Sequence, residues 1–171
     1  MENGKSVPVA LGLGANLGDA AANIRDAAAH LEYAGLRSAT LSPLYRTAPV
    51  GCPPGTPDFV NGAVRGTWSG AALELLRVCK SIEKRMGRDP EHDKNAPRTV
   101  DIDILLFGGE TFTSRDLRIP HPQVRNRLFV LVPLAEIAGS WRVPPEGVTV
   151  RQLLARLQRN RNAMSVQPLQ E

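Results

Sequence analysis

Asp101 and Asp103 stand two residues apart in the run Pro97-Arg98-Thr99-Val100-Asp101-Ile102-Asp103-Ile104-Leu105-Leu106. On a strand, residues i and i+2 point to the same face. The two carboxylates therefore share a face with Thr99, while Val100, Ile102 and Ile104 share the other and bury it. Neighbouring carboxylates repel each other unless a cation sits between them. Hard oxygen ligands at this spacing suit Mg²⁺, which takes one or two carboxylates plus substrate phosphates in preference to a full protein cage. The bland alternative, a solvated acidic strand, does not account for the strict apolar opposition or for Arg98 in front of the pair.

Cationic residues gather on both sides of this strand. Lys84, Arg85, Arg88, Lys94 and Arg98 precede it, and Arg115, Arg118, Arg125 and Arg127 follow it. Either cluster alone reads as a solvated face, but two of them flanking an acidic strand point to a polyphosphate. His121, set between Pro120 and Pro122 and near Arg125 and Arg127, is a further phosphate candidate. Phe59 and Asn61 lie on one strand face, where a ring and a side-chain amide can stack on and hydrogen-bond a flat heterocycle. The glycines of Gly12-Leu13-Gly14-Ala15-Asn16-Leu17-Gly18-Asp19 tempt a dinucleotide-binding reading. Their spacing is wrong, because the third glycine falls at 18 where G-x-G-x-x-G requires it at 17. A tight strand-to-helix turn explains them as well.

The elements that must position these residues follow from periodicity. Val7–Leu13 alternates as a strand, and Asp19–Leu31 has the apolar spacing of an amphipathic helix with Asp19 as N-cap. Gly35 punctuates it. Leu36–Tyr45 and Phe59–Thr67 read as strands, separated by a long Pro- and Gly-rich loop over Thr47–Pro57. Ser69 can cap a second helix in which Leu73, Leu76 and Ile82 repeat up to Met86. A second long loop, Gly87–Pro97, precedes the strand Thr99–Phe107. A hairpin-like stretch to Ile119, the turn Pro120-His121-Pro122, and short helices over Phe129–Ile137 and Val150–Leu157 complete the chain. The order is strand, helix, strand, strand, helix, strand. It predicts an α+β fold, a ferredoxin-like βαββαβ core with C-terminal additions in a three-layer α-β-α sandwich. Long loops in so short a chain are expected to carry function.

Composition sets the outer bounds. The chain has 171 residues, a net charge of +4 and a pI near 9.5, which fits one domain over residues 1–171 with an anionic partner. No apolar run approaches the roughly 18–20 residues of a membrane span, and the N-terminus has no signal-peptide h-region. The two cysteines, Cys52 and Cys79, are too few for a disulfide framework and read as reduced thiols of a cytoplasmic protein. No histidine lies near either of them in sequence.

Taken together, these segments resemble the 6-hydroxymethyl-7,8-dihydropterin pyrophosphokinases (HPPK) of folate biosynthesis. The resemblance runs from Gly14-Ala15-Asn16-Leu17-Gly18-Asp19 to Phe129-Val130-Leu131-Val132-Pro133-Leu134. Between them come Ser42-Pro43-Leu44-Tyr45-Arg46-Thr47-Ala48-Pro49-Val50-Gly51, Pro57-Asp58-Phe59-Val60-Asn61-Gly62-Ala63, Ile82-Glu83 with Gly87-Arg88, the Pro97–Ile104 run, and Ile119-Pro120-His121-Pro122. The resemblance implies transfer of pyrophosphate from ATP to the hydroxymethyl group of a dihydropterin, leaving AMP. It implies two Mg²⁺ ions held by Asp101 and Asp103, with Arg88 and Arg98 also in the catalytic set. The pterin would lie between Phe59 and Phe129, with Asn61 and Thr47 on its edge and the backbone of Ala48 and Val50 adding contacts. Glu83, Arg88, Lys94, Arg98, His121 and Arg127 would bind ATP. The expected partners are these small molecules, with no nucleic acid or membrane, and the expected state is a monomer.

The sequence departs from the family pattern at a few positions. Ala15 replaces a usual serine, Phe59 replaces a tyrosine found in some members, Asn95 stands where tryptophan is common, and Pro90 where arginine is common. The last two leave the second long loop without an aromatic lid and one cation. A rival reading is an RNA-recognition module, since βαββαβ is its order too. Only 5% of the residues are aromatic, and the fourth strand offers aspartates that would repel a phosphate backbone. A non-catalytic interaction domain would leave the aspartate pair unexplained.

Overall fold

The computed structural model describes residues 4–49, 51–87, 99–160 and 165–170. Its core elements in chain order are β1 (Val7–Ala15), α1 (Ala20–Tyr33), β2 (Arg37–Leu41), β3 (Tyr45–Thr47), β4 (Phe59–Trp68), α2 (Ala72–Arg85) and β5 (Asp101–Phe107). The additions are β6 (Phe112–Thr113), β7 (Arg118–Ile119), α3 (Leu128–Ala138), β8 (Arg142–Val143), β9 (Val148–Thr149), α4 (Val150–Gln158) and β10 (Gln167–Pro168). The main sheet runs β10-β3-β4-β1-β5, with β2 also paired to β4. Every pairing in it is antiparallel. Strand order and direction in the core fit the split βαβ expectation.

Helices cover both faces of the sheet. One layer joins α1 and α2 to the sheet through Leu11, Ile24, Leu31, Leu75, Ile82 and Ile102. The other joins α3 and α4 to it through Ala10, Ala63, Leu105, Leu131, Leu134 and Leu153. Each Leu or Ile buried this way is worth roughly 1.5–3 kcal/mol. Period-2 alternation sorts β5 between the layers, with Ile102 and Ile104 buried on one side and Asp101 and Asp103 partly exposed on the other. A register shift between Ala10 and Leu11 opposite β5 then puts both Leu105 and Leu106 into the α3 layer. The fold does not support the RNA-recognition alternative, because α3 and α4 cover part of the sheet surface that such a module would present to bases.

Local chemistry sets the element ends. The Asp19 carboxylate accepts the Ala22 N–H at 3.0 Å and starts α1 as expected. The single strand read over Leu36–Tyr45 is two, because Pro43 has no N–H for the ladder. There the Ser42 hydroxyl takes over, accepting the Ala63 N–H at 2.9 Å. Ser69 does not cap α2. The N-cap is Ala71, whose N–H is accepted by the Glu74 carboxylate at 3.1 Å. The buried stripe of α2 is Leu75, Cys79, Ile82 and Glu83, while Leu73 faces solvent. The short strands β8, β9 and β10 have no periodic signature in so few residues. The loop predicted over Gly87–Pro97 lies, past Gly87, outside the described residues.

One glycine sets a packing limit. A Cβ at Gly66 would lie 2.8 Å from the Arg37 carbonyl oxygen and from the Leu36 side chain. The carbonyl is backbone and cannot swing away. Gly66→Ala should therefore cost about 1–3 kcal/mol, the usual range for overpacking. Urea unfolding checks this: the midpoint falls while the slope stays unchanged.

Candidate active site

A cavity of about 500 Å³ opens on the α3 side of the sheet, where β1, β4 and β5 run beyond the cover of the helices. Its floor is a row of paired positions. Asn61 on β4 lies opposite Gly14 on β1, and Gly14 lies opposite Asp101 on β5. The next row is Ala63, Gly12 and Asp103. The two glycines carry no side chains, so the floor between the amide and the carboxylates is open.

The wall beyond β4 comes from Thr47, Ala48 and Cys52, together with Phe59. Asn61 is 6% exposed and Thr47 3%. The Asn61 side-chain amide donates to the Thr47 hydroxyl at 2.9 Å. That bond fixes the amide's orientation and leaves its carbonyl oxygen as an acceptor on the cavity side, near Gly14. The opposite wall comes from the start of α3. Arg127 precedes the helix and places its guanidinium 5.4 Å from the centre of the Phe129 ring, a cation–π distance. Leu157 and Asn160, at the end of α4, close the far side.

His121 joins the cavity from the turn after β7. Its main-chain N–H donates to the Leu105 carbonyl at 3.0 Å, which ties the turn to β5. Its Nδ1 accepts the Gln123 N–H at 3.1 Å, so the neutral ring carries its proton on Nε2. Burial, and then the nearby Arg127 charge, push the His121 pKa below 6.5, while Asp101 pulls weakly the other way. The unfolded chain then binds more protons than the folded one just below pH 6.5, so the neutral histidine adds stability that fades as pH falls through that window. His121→Asn should shrink the loss of melting temperature between pH 7.5 and pH 5 in the metal-free protein. Equal losses in both proteins would count against it.

The cavity thus gathers Asp101, Asp103, Phe59, Asn61, Thr47 and Ala48 with His121, Arg127 and Phe129. Glu83 is not on its wall. It is buried on the other side of β5, where it accepts the Ile102 N–H at 2.8 Å. Val50, Arg88, Lys94 and Arg98 lie outside the described residues, as do Pro90 and Asn95. Sequence reasoning missed Gly12 and Gly14 as floor, although their period-2 spacing on a strand is a usable signal. It also missed Cys52, Asn126, Leu157 and Asn160, for which no local pattern exists.

The donor set matches Mg²⁺ in kind. Among the described residues no group of three or more His, Cys, Asp or Glu converges to hold a metal. The protein offers two carboxylates on an open floor, a set that would leave further coordination positions to other oxygen ligands. No described helix is long and apolar enough to cross a membrane.

Comparison with known proteins gives consistent matches. Residues 10–139 match the family described as 7,8-dihydro-6-hydroxymethylpterin-pyrophosphokinase (HPPK). The chain is 41% identical over 145 residues to a 2-amino-4-hydroxy-6-hydroxymethyldihydropteridine pyrophosphokinase of Synechocystis, covering 84% of this chain and 73% of the relative. It is 43% identical over 148 residues to the protein of that name from Methylorubrum extorquens, covering 86% and 91%. Among solved structures it resembles Plasmodium falciparum HPPK-DHPS, wild type with pteroate, with a TM-score of 0.70 and 17% identity over 97% of this chain. The chain spans about half the length of that larger protein (48%), and the likeness shows the fold alone.

Proposed function

The chain belongs to the 7,8-dihydro-6-hydroxymethylpterin-pyrophosphokinase family, and from that premise we propose what its cavity does. The protein transfers pyrophosphate from ATP to the hydroxymethyl group of 6-hydroxymethyl-7,8-dihydropterin in folate biosynthesis. The hydroxymethyl oxygen bonds to the β-phosphorus as the bond to the α-phosphate oxygen breaks, and AMP leaves. The observation that carries the assignment of roles is one open floor with Asn61 at one end and Asp101 and Asp103 at the other.

The pterin lies at the β4 end. Phe59 and Phe129 supply rings for its two faces, and offset stacking of this kind adds about 0.5–1.5 kcal/mol beyond area burial. The Asn61 carbonyl, held in place by Thr47, accepts from the pterin edge, and the backbone of Ala48 and Val50 completes the contacts. The hydroxymethyl group then points along the glycine floor toward the aspartates. Asp101 and Asp103 hold two Mg²⁺ ions. Bound there, the metal would supply charge neutralisation for the phosphates, while Asp101 and Asp103 fix where that charge sits.

Arg127 and His121 bind ATP from the α3 side, and Arg88, Lys94 and Arg98 are further ATP-binding residues. The fixed tautomer of His121 makes Nε2–H a donor to phosphate. Phosphoryl-type transfer asks the protein mainly for alignment and charge neutralisation, and this arrangement supplies both. The test is an assay with purified protein, ATP, Mg²⁺ and the hydroxymethyl-dihydropterin. AMP should form one for one with the pterin diphosphate. ATP breakdown that does not depend on the pterin would overturn the proposal.

A further inference from the structure

A carboxylate removed from water costs several kcal/mol unless it is paired and hydrogen-bonded. Glu83 is 2% exposed, on the stripe of α2 that also buries Leu75, Cys79 and Ile82. Both of its oxygens are engaged. Oε1 accepts the Ile102 N–H at 2.8 Å, and Oε2 lies 3.3 Å from Nζ of Lys80, whose side chain is 55% exposed. Hydrogen bonds to a charged acceptor are shorter and about twice as strong as neutral ones. This one joins α2 to the strand that carries the aspartate pair, across 19 positions of sequence.

The bonded amide is the one that matters for the site. Among the described residues strand β5 is the last in its sheet, and alternate N–H groups along it point away from β1. Ile102 is one of these and lies between Asp101 and Asp103. By alternation, the two aspartates use their own main chains toward Gly14 and Gly12, their partners on β1. Among the described residues no strand lies on the outer side of the peptide between the carboxylates.

We propose that Glu83 is a positioning residue for the transfer reaction, gripping the Ile102 peptide from behind β5 and so setting the spacing at which Asp101 and Asp103 meet metal and phosphate. This rests on the reading of the aspartates as metal ligands. In this role Glu83 acts on the nucleotide through the strand.

Three variants test it. Glu83→Ala removes the grip, Glu83→Asp holds a carboxylate one methylene short of Ile102, and Glu83→Gln keeps a neutral acceptor at full length. The readouts are the Mg²⁺ dependence of AMP formation, Mn²⁺ affinity of the nucleotide complex by electron paramagnetic resonance, and hydrogen exchange at the Ile102 amide. For Glu83→Ala and Glu83→Asp the metal requirement should rise roughly 10–100-fold, the usual cost of losing an outer-sphere partner. High Mg²⁺ should restore much of kcat, pterin KM should move by less than about threefold (under 1 kcal/mol), and the Ile102 amide should exchange faster than global unfolding allows. Glu83→Gln should recover at least about half of the loss on a logarithmic scale, because the neutral bond keeps part of the grip. An unchanged metal requirement in a folded Glu83→Ala, or a glutamine variant as impaired as the alanine one, would overturn the proposal. If neither Glu83→Ala nor Glu83→Asp folds, the wild-type Ile102 amide decides it: protection at the global level supports the grip, and fast exchange refutes it. Should Asp101→Asn also leave the metal requirement unchanged, the metal reading itself has failed. Silent Glu83 variants beside a responsive Asp101→Asn sink only the inference drawn here.

Discussion

Asp101→Asn and Asp103→Asn are each expected to lose on the order of a thousandfold in turnover, about 4 kcal/mol of transition-state stabilisation at 1.36 kcal/mol per tenfold. Each substitution keeps the shape of the side chain and removes a hard anionic ligand. An amide oxygen is a poor substitute where the neighbouring ligands are anionic phosphates, since the carboxylate charge both attracts Mg²⁺ and orients it. The fold should not suffer. Both side chains are only partly exposed, but they lie at a cavity floor beside glycines, and removing one of two like charges relieves repulsion when no metal is present. Unfolding free energies should stay within about 1 kcal/mol of wild type or rise, as for substitutions outside a packed core. Steady-state kinetics at saturating Mg²⁺ with urea melts of the same preparations check both halves. Near-normal turnover in either variant would remove that aspartate from the site.

The aspartate pair is legible in the sequence because its signal is local. Alternation over Asp101–Ile104, the first four residues of β5, is enough to put Asp101 and Asp103 on one face and Ile102 and Ile104 on the other. The same holds for Phe59 and Asn61 on β4 and for the Asp19 cap of α1. What is not legible depends on neighbours distant in sequence. Glu83 reads as one more residue beside ATP, and nothing within its own helix shows that its carboxylate reaches Ile102. One miss is local: Ser69 is a better capping residue than alanine by propensity, yet Glu74 reaches back three residues to Ala71 and starts α2 two residues later. Pro168 on β10 pairs with Tyr45, a contact that no two-residue strand announces. Gly12 and Gly14 are conspicuous in the sequence but read there as a turn. Their use emerges only when β4 and β5 flank them.

Gly14→Val is the sharpest test of that use, and it should weaken pterin recognition while leaving the protein folded. Gly14 has Asn61 on one side and Asp101 on the other. A Cβ there would sit 3.1 Å from Oδ1 of Asn61, closer than ordinary van der Waals contact. Asn61 cannot retreat without breaking its 2.9 Å bond to Thr47, and both residues are buried. Valine's two methyls would also stand on the floor where the hydroxymethyl group must pass. The backbone itself accepts the change, because β-branched residues favour strands and replacing glycine restricts the unfolded chain by about 0.4–1 kcal/mol. That gain offsets part of the strain at Asn61. Losing the oriented Asn61 carbonyl leaves a pterin donor unpaired, which costs about 1–3 kcal/mol, or roughly 5–150-fold in affinity. Gly14→Ala should show a smaller loss, since a single methyl asks Asn61 to give by only a few tenths of an ångström. Gly12→Ala should show the least, because a Cβ there meets only the Leu105 side chain, at 3.5 Å. The measurement is pterin KM and equilibrium pterin binding at fixed MgATP for the three variants, with urea melts alongside. A loss that is largest for Gly14→Val, smaller for Gly14→Ala and smallest for Gly12→Ala locates the pterin between Asn61 and the aspartates. A valine variant that binds pterin as wild type does would place the ring elsewhere in the cavity.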